Sequence, residues 1–209
     1  MWFTGYDEDM NFQIGYAFST DGKSWTPNPS PVLSPTGNPG DFDESHVLDV
    51  SVLFEGGTYH VWYTGMDSEG NYAIAYTSTN SPDSLSNASE PLTNLQPMDT
   101  PDYLTHGVRA PNTIFTNDMY MMWPTAYGSR NTITVAQSDS PGTGWDINIA
   151  PVLTYHTTGF DVSQVGLCTV IEHPSAEGYE MWYTGWSASG LAIGYADSPD
   201  GITWNKYRD

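Results

Sequence analysis

The sequence predicts an all-β fold, a β-propeller built from four-stranded units of about 60 residues. Three observations predict it. A Trp-centred segment recurs four times, as MWFTGY at Met1–Tyr6, YHVWYTGM at Tyr59–Met66, YMMWPTAY at Tyr120–Tyr127 and YEMWYTGW at Tyr179–Trp186. Its tryptophans, Trp2, Trp62, Trp123 and Trp182, are spaced by 60, 61 and 59 residues. An alternating segment follows each one, starting at Ile14, Ile74, Ile133 and Ile193, and a Pro-Val-Leu or Pro-Leu marker stands at Pro31, Pro91 and Pro151, again 60 apart. A fixed period of this length is the signature of repeated supersecondary units.

The elements follow in order. Period-two alternation rich in Tyr, Trp, Val, Ile and Thr, bounded by Gly, Pro, Asp and Asn, reads as strand, and no window sustains a helical period. The Trp segment is strand B of each unit and the Ile segment strand C. Short apolar runs at Val47–Phe54, Val108–Phe115 and Val165–Ile171 precede the later B strands and read as inner strands A. Turn-rich segments ending at Trp25, Trp145 and Trp204 lead into a short outer strand D, and the corresponding stretch of the second unit, Asn80–Leu92, is irregular. The chain is thus one domain over 1–209, with units at approximately 1–40, 41–100, 101–158 and 159–209. About four blades are present, and the first lacks its inner strand. The expectation is four sheets rather than a closed five-bladed monomer, with a second copy of the chain pairing across the gap, because an open sheet edge is a liability.

Composition narrows the function classes. The 209 residues carry 5 Lys and Arg against 25 Asp and Glu, a formal charge of −20. Such a chain cannot neutralise a run of phosphates, so nucleic acid is excluded as a partner, as is an anionic membrane surface. Aromatic residues make up 14%, far from the composition of a disordered chain. The single cysteine, Cys168, excludes an internal disulfide framework and a cysteine-based zinc site, and reads as a small buried hydrophobe. No apolar stretch reaches membrane-spanning length. Met1 runs straight into Trp-Phe-Thr-Gly, so no signal peptide is read, and the compartment stays open between secretion and a high-salt setting.

Aligned without gaps from strand A, Phe42-Asp43 matches Phe160-Asp161 and Tyr103-Leu104, whereas Asp49 faces Ala110 and Leu167. A carboxylate that the repeat does not demand is the better functional candidate, which singles out Asp49. The shared Phe-Asp pair favours a structural bond at the corner between loop and strand for Asp43 and Asp161. Asp21 and Asp200 sit in Asp-Gly turns, where the carboxylate satisfies backbone donors. Trp62, Trp123 and Trp182 recur in register, as packing between blades requires.

The combination of xMWYTG, IGYAxSxDGxxW, Pro-Val-Leu and Phe-Asp resembles the five-bladed propeller glycoside hydrolases, the superfamily of arabinanases, β-xylosidases, invertases and levansucrases with their mannoside-phosphorylase-like relatives. The resemblance covers essentially the whole chain. It implies a carbohydrate partner, acted on or bound in a central channel whose acidic residues lie on the inner strands. It places Asp49 where the family has Asp-Pro, with Val50 in place of the proline, and it matches Arg109-Ala110-Pro111 to an Arg-x-Pro element whose Arg binds substrate or orients a carboxylate. Catalytic candidates are therefore Asp49, Asp43 and Glu44. Substrate-binding candidates are Arg109, His46, His106, Asp161 and Gln164, with the rings of Tyr6, Tyr127 and Trp186 placed after the B strands to stack on sugars. No cofactor or protein-held metal is expected, and a channel-bound cation such as calcium is left open. The chain departs from the family in two places. Strand A of the first unit, and the Asp it would carry, is absent, and Arg109 and Gly166 stand where a later acid would sit. Glycoside hydrolysis needs an acid and a base roughly 5–10 Å apart, so the alternative is a propeller that binds glycans or serves as a scaffold without catalysis.

Overall fold

The computed structural model describes residues 1–99, 101–174 and 177–207. It is an all-β partial propeller of antiparallel sheets, with one short 3₁₀ turn at Asp102–Leu104. The first sheet joins β1 (Trp2–Tyr6), β2 (Phe12–Phe18) and β3 (Thr26–Pro27), and the second joins β4 (His46–Glu55), β5 (Thr58–Met66) and β6 (Tyr72–Thr79). The fourth is the complete set, β13 (Gln164–Glu172), β14 (Tyr179–Ser187), β15 (Gly190–Ser198) and β16 (Asn205–Tyr207).

The third sheet carries the same four-stranded plan in broken form. Its inner strand is split into β7 (Val108–Arg109) and β8 (Thr113–Thr116), and its B strand into β9 (Met119–Met122) and β10 (Thr125–Ala126); β11 (Thr132–Ser138) and β12 (Asp146–Leu153) complete it. Pro111 and Pro124 lie at the two breaks, where proline removes a ladder donor. The second sheet departs from the four-strand expectation. Its would-be outer segment forms no strand; instead Leu92 donates its N–H to Ile74 O at 2.8 Å, and Ile74 donates to Leu95 O at 2.8 Å. Leucines near the proline marker thus cover the Ile of strand C. The third unit does the same by pairing Ile133 with Leu153, and the first by bridging Ile14 to Leu33.

Inner strand β4 packs against β8, and β8 against β13. β4 and β13 are each interrupted by a bulge, and the inner strand of the third unit by the break between β7 and β8; the first residue of each interruption is left-handed, Asp49 at φ 51°, Ala110 at 54° and Leu167 at 50°. That conformation costs a non-glycine residue roughly 1–2 kcal/mol, so something must hold it. The holder is a threonine on the B strand of the preceding unit. Asp49 N–H donates to Thr4 Oγ1 at 3.0 Å, Ala110 N–H to Thr64 at 3.0 Å and Leu167 N–H to Thr125 at 2.8 Å.

Two further contacts recur between units. The indoles of the first three B-strand tryptophans donate into a turn of the next unit: Trp2 to Pro82 O at 3.1 Å, Trp62 to Pro141 O at 2.9 Å and Trp123 to Gly201 O at 2.8 Å. Just past the bulge, a side-chain acceptor on one inner strand takes an N–H of the next, Thr113 N–H to Ser51 Oγ at 3.1 Å and Val170 N–H to Asn112 Oδ1 at 2.8 Å. Trp62 and Trp123 are fully buried between units. Trp182, expected in the same role, is 39% exposed, and Ile193 is 70% exposed although Ile14, Ile74 and Ile133 are fully buried. Among the described residues, neither is covered by another sheet.

The Thr-Gly of the B strand has its own reason. A Cβ at Gly65 would lie 2.5 Å from the Phe42 ring and 2.7 Å from Asp43 Cβ, and one at Gly185 would lie 2.6 Å from Phe160 and 2.7 Å from Asp161 Cβ. Glycine lets the Phe-Asp corner close onto the strand. The third unit replaces that corner with Tyr103-Leu104 and accommodates Ala126 at the matching position.

Candidate functional site

Asp49 and Arg109 meet. They stand 60 residues apart, one on the bulge of β4 and the other next to the bulge of the following inner strand. Arg109 Nε and Nη2 both donate to Asp49 Oδ2, at 2.9 and 2.7 Å. Each side chain keeps 21% of its surface exposed, so the pair is half-buried and reachable by solvent. Both donors fall on Oδ2, and Oδ1 has no hydrogen bond to a described residue. The guanidinium also lies over the Tyr72 ring, 4.9 Å from its centroid. Tyr72 meets Tyr127 edge to face at 4.9 Å, and Tyr127 meets His106 at 6.3 Å. Burial pushes the Tyr72 hydroxyl above its ordinary pKa, partly countered by Arg109. Asp49, Arg109, Tyr72, Tyr127 and His106 therefore form one connected strip across the junction of the second and third units.

Tyr72 was missed at the sequence level. Its signal was its register: it begins strand C of the second unit, as Phe12 does in the first. There Phe12 meets His46 of the next unit at 5.2 Å and Tyr6 of its own unit at 6.2 Å, whereas Tyr72 meets Tyr127 of the next unit.

The remaining candidates separate by environment. His46 Nδ1 accepts the Phe12 N–H at 3.1 Å, and Gln164 Oε1 accepts the Asn131 N–H at 3.3 Å. Both side chains start an inner strand and take a backbone N–H at the start of the preceding unit's strand C, that of its first residue Phe12 or that of Asn131 just before it, so one polar atom of each is committed to the backbone. Burial lowers the His46 pKa, more than Asp7 raises it, in keeping with a neutral ring that accepts at Nδ1. Tyr6 is 65% exposed beside the unpaired edge of β1, and Trp186 lies partly buried at the end of β14.

Asp43 and Asp161 are fully buried. Asp43 Oδ2 accepts from Tyr63 Oη at 3.1 Å and Asn87 Nδ2 at 2.8 Å, while its Oδ1 has no partner among the described residues. Burial raises the Asp43 pKa, with the bonds from Asn87 and Tyr63 opposing. Asp161 accepts from Tyr183 Oη at 3.3 Å and pairs with Lys206 Nζ at 2.6 Å. Both carboxylates tie the corner to the B strand, the structural role that their shared register favoured. Glu44 accepts from Gly40 N–H at 3.1 Å and Ser68 Oγ at 3.0 Å, and it lines an acidic cavity of about 470 Å³ with Asp41, Asp67 and Glu69 in the loops. Among the described residues, no three His, Cys, Asp or Glu side chains are placed to hold a metal ion.

No protein-family model matches the chain, and no curated protein matches it. Solved structures do. A glycosyl hydrolase from Bacteroides ovatus superposes with a TM-score of 0.75 at 17% identity, over 98% of this chain and 65% of that one. A thermostable family-43 glycoside hydrolase gives 0.73 at 16% identity, over 100% and 70%. The β-1,2-mannobiose phosphorylase of Listeria innocua gives 0.69 at 21% identity, over 93% and 52%. The chain has the fold of the propeller glycoside hydrolases and spans between half and 70% of the length of these structures.

Proposed function

We propose that the chain is a carbohydrate-active, glycoside hydrolase-like protein that takes a sugar at the inner ends of its units, against Asp49. The observation that carries this reading is the Asp49–Arg109 pair. It joins the one carboxylate in the bulge column to a guanidinium that fixes its orientation through two donors, and it leaves Oδ1 open. An oriented carboxylate oxygen beside the rings of Tyr72 and Tyr127 suits a sugar, which offers hydroxyl donors on its edge and C–H surface on its face. In a hydrolase, Asp49 would act as base, nucleophile or stabiliser of an oxocarbenium-like transition state, opposite a second carboxyl group roughly 5–10 Å away that protonates the leaving oxygen.

A second reading, glycan binding without hydrolysis, is favoured by the two positions that match Asp49. They hold Ala110 and Leu167, neither of which can transfer a proton. Screening aryl glycosides and a glycan array with the chain and its Asp49→Asn variant separates the readings. Turnover that falls at least about 100-fold in the variant supports the hydrolase, and binding without turnover, lost in the variant, supports the second reading. Binding or turnover that survives Asp49→Asn unchanged overturns the site.

A further inference from the structure

The loops between strands B and C differ in charge from one half of the chain to the other. Those of the first two units hold Asp7, Glu8 and Asp9, then Asp67 and Glu69. Those of the third and fourth, residues 127–131 and 186–190, hold no carboxylate and one cation, Arg130. The Arg130 guanidinium lies over the ring of Tyr155, in the segment leading into the fourth unit, 4.6 Å from its centroid. Such a stack fixes the plane of the fork and leaves its edge of N–H donors for other partners. Arg109 and Lys206 each take a carboxylate, but the Arg130 donors have no hydrogen-bond or ion-pair partner among the described residues. Asp102, whose carbonyl accepts the Ser129 N–H at 3.1 Å, makes no ion pair with Arg130 either.

Beside Arg130 stands an amide that the repeat does not demand. Asn131 holds the place taken by Phe12 and Tyr72 in the earlier units. Its backbone is committed, the N–H to Gln164 Oε1 at 3.3 Å and the carbonyl to the Val165 N–H at 3.2 Å. Its side-chain amide has no partner among the described residues, although Asn131 is only 8% exposed. At the previous junction Arg109 covers Tyr72, whereas the matching Gly166 brings no side chain to Asn131. Gln164 Nε2 is likewise without a partner among the described residues, and Gln164 pairs across the ladder with Trp186. Buried amides left without partners are rare enough to call for a reason.

We infer that the junction of the third and fourth units is a second subsite, which takes an anionic substituent, a carboxylate or a sulfate ester, on a sugar adjoining the one at Asp49. This rests on the carbohydrate reading above. A guanidinium fork matches two oxygens of such an anion. The amides of Asn131 and Gln164 serve the same group or the ring hydroxyls, and Trp186 offers an aromatic face. The spacing agrees. Arg109 faces Thr125 in the ladder, and Thr125 Oγ1 takes the N–H of Leu167, next to Gly166. The two sites are therefore two strand spacings apart, about 10 Å, the span of two linked sugar rings. The formal charge of −20 does not forbid an anion here, because physiological salt screens charges beyond about 8 Å and the local balance decides.

The test is a glycan array carrying each oligosaccharide in neutral, uronic acid and sulfated forms, followed by calorimetry on the pairs that bind. One anionic form is expected to bind at least about tenfold tighter than its neutral counterpart, and this preference to shrink at least about fivefold in Arg130→Gln. Arg130 is exposed, so the variant is expected to keep the parent Tm, which is measured first. The side-chain amide signals of Asn131 and Gln164 are expected to move in nitrogen-15 NMR spectra as the anionic form is added. A preference for the uronic acid assigns a carboxylate and one for the sulfated form an ester; either supports the inference. Neutral and anionic forms binding equally, with binding lost in Asp49→Asn, overturns this inference and leaves the Asp49 reading standing. An anion preference undiminished in Arg130→Gln also overturns it, and binding of no form overturns both.

Discussion

Trp123 and Trp182 occupy the same place in their strands, each after a methionine and two residues before a threonine, yet one is fully buried and the other is 39% exposed. The difference lies wholly in what comes next. Trp123 lies against Tyr179 and Trp204 of the fourth unit, at ring distances of 5.8 and 6.3 Å, and bonds to Gly201 O. Trp182 has its own neighbour, Tyr195, at 5.5 Å and no other ring contact among the described residues. A repeat therefore fixes which side of the sheet a residue takes, while the following unit fixes whether that side is core or surface.

The sharpest way to break this comparison is to truncate both rings. Trp123→Ala is expected to cost about 3–5 kcal/mol, as for other buried aromatic residues, and Trp182→Ala no more than about 0.5 kcal/mol, as for an exposed site. Urea unfolding followed by circular dichroism checks this, and equal losses would show that the fourth unit's face is covered in solution.

The two Phe-Asp corners offer a second comparison. Asp161 is answered by the ammonium of Lys206, which also bonds to Thr154 O and lies 5.0 Å from the Tyr183 ring centre. Asp43 is answered by the neutral amide of Asn87. Lys206→Met leaves a buried carboxylate without its cation and is expected to cost about 3 kcal/mol. Asn87→Ala removes one bond to a charged acceptor and is expected to cost about 1.5–3 kcal/mol. Paired denaturation curves rank the two, and a larger loss in the Asn87 variant would reverse the comparison.

The smallest expected effect concerns pH. Burial raises the Asp43 pKa in the folded chain, so the native state holds that proton more tightly than the unfolded chain does. Its contribution to stability is full below the unfolded pKa and is lost as pH rises through the folded value. Asp21 behaves in the opposite sense. The N–H groups of Ser24 and Lys23 lower its pKa to about 2, so its contribution is present above the unfolded value and fades as pH falls toward 2. Carboxyl NMR titration is expected to place Asp43 above the ordinary aspartate range and Asp21 below it. An Asp43 midpoint below that of Asp21 would contradict the burial argument.

Much of the fold was legible because strand, turn and period are local. Trp62 and Trp123 marked junctions, while Trp182, read in the same way, is 39% exposed, and the Phe-Asp pair marked a corner whose glycine, Gly65 or Gly185, could be recognised only once the ring was seen to press on it. The site was legible in its residue types and less so in its wiring. Asp49 stood out because Ala110 and Leu167 broke its column, and Arg109 stood out beside them, but nothing local says that a guanidinium one full repeat away turns back to meet the carboxylate. His46 and Gln164 read as free polar groups because their backbone partners, Phe12 and Asn131, lie 34 and 33 residues earlier in the chain.

The sequence by itself determined the sixty-residue period and the strand-only make-up, because these follow from alternation and turn chemistry within each unit. Only the tertiary structure decided which sheet faces are buried, which polar atoms are already committed and where the Asp49 carboxylate points. Those outcomes depend on contacts between units that are some sixty residues apart in the chain, which no local pattern encodes.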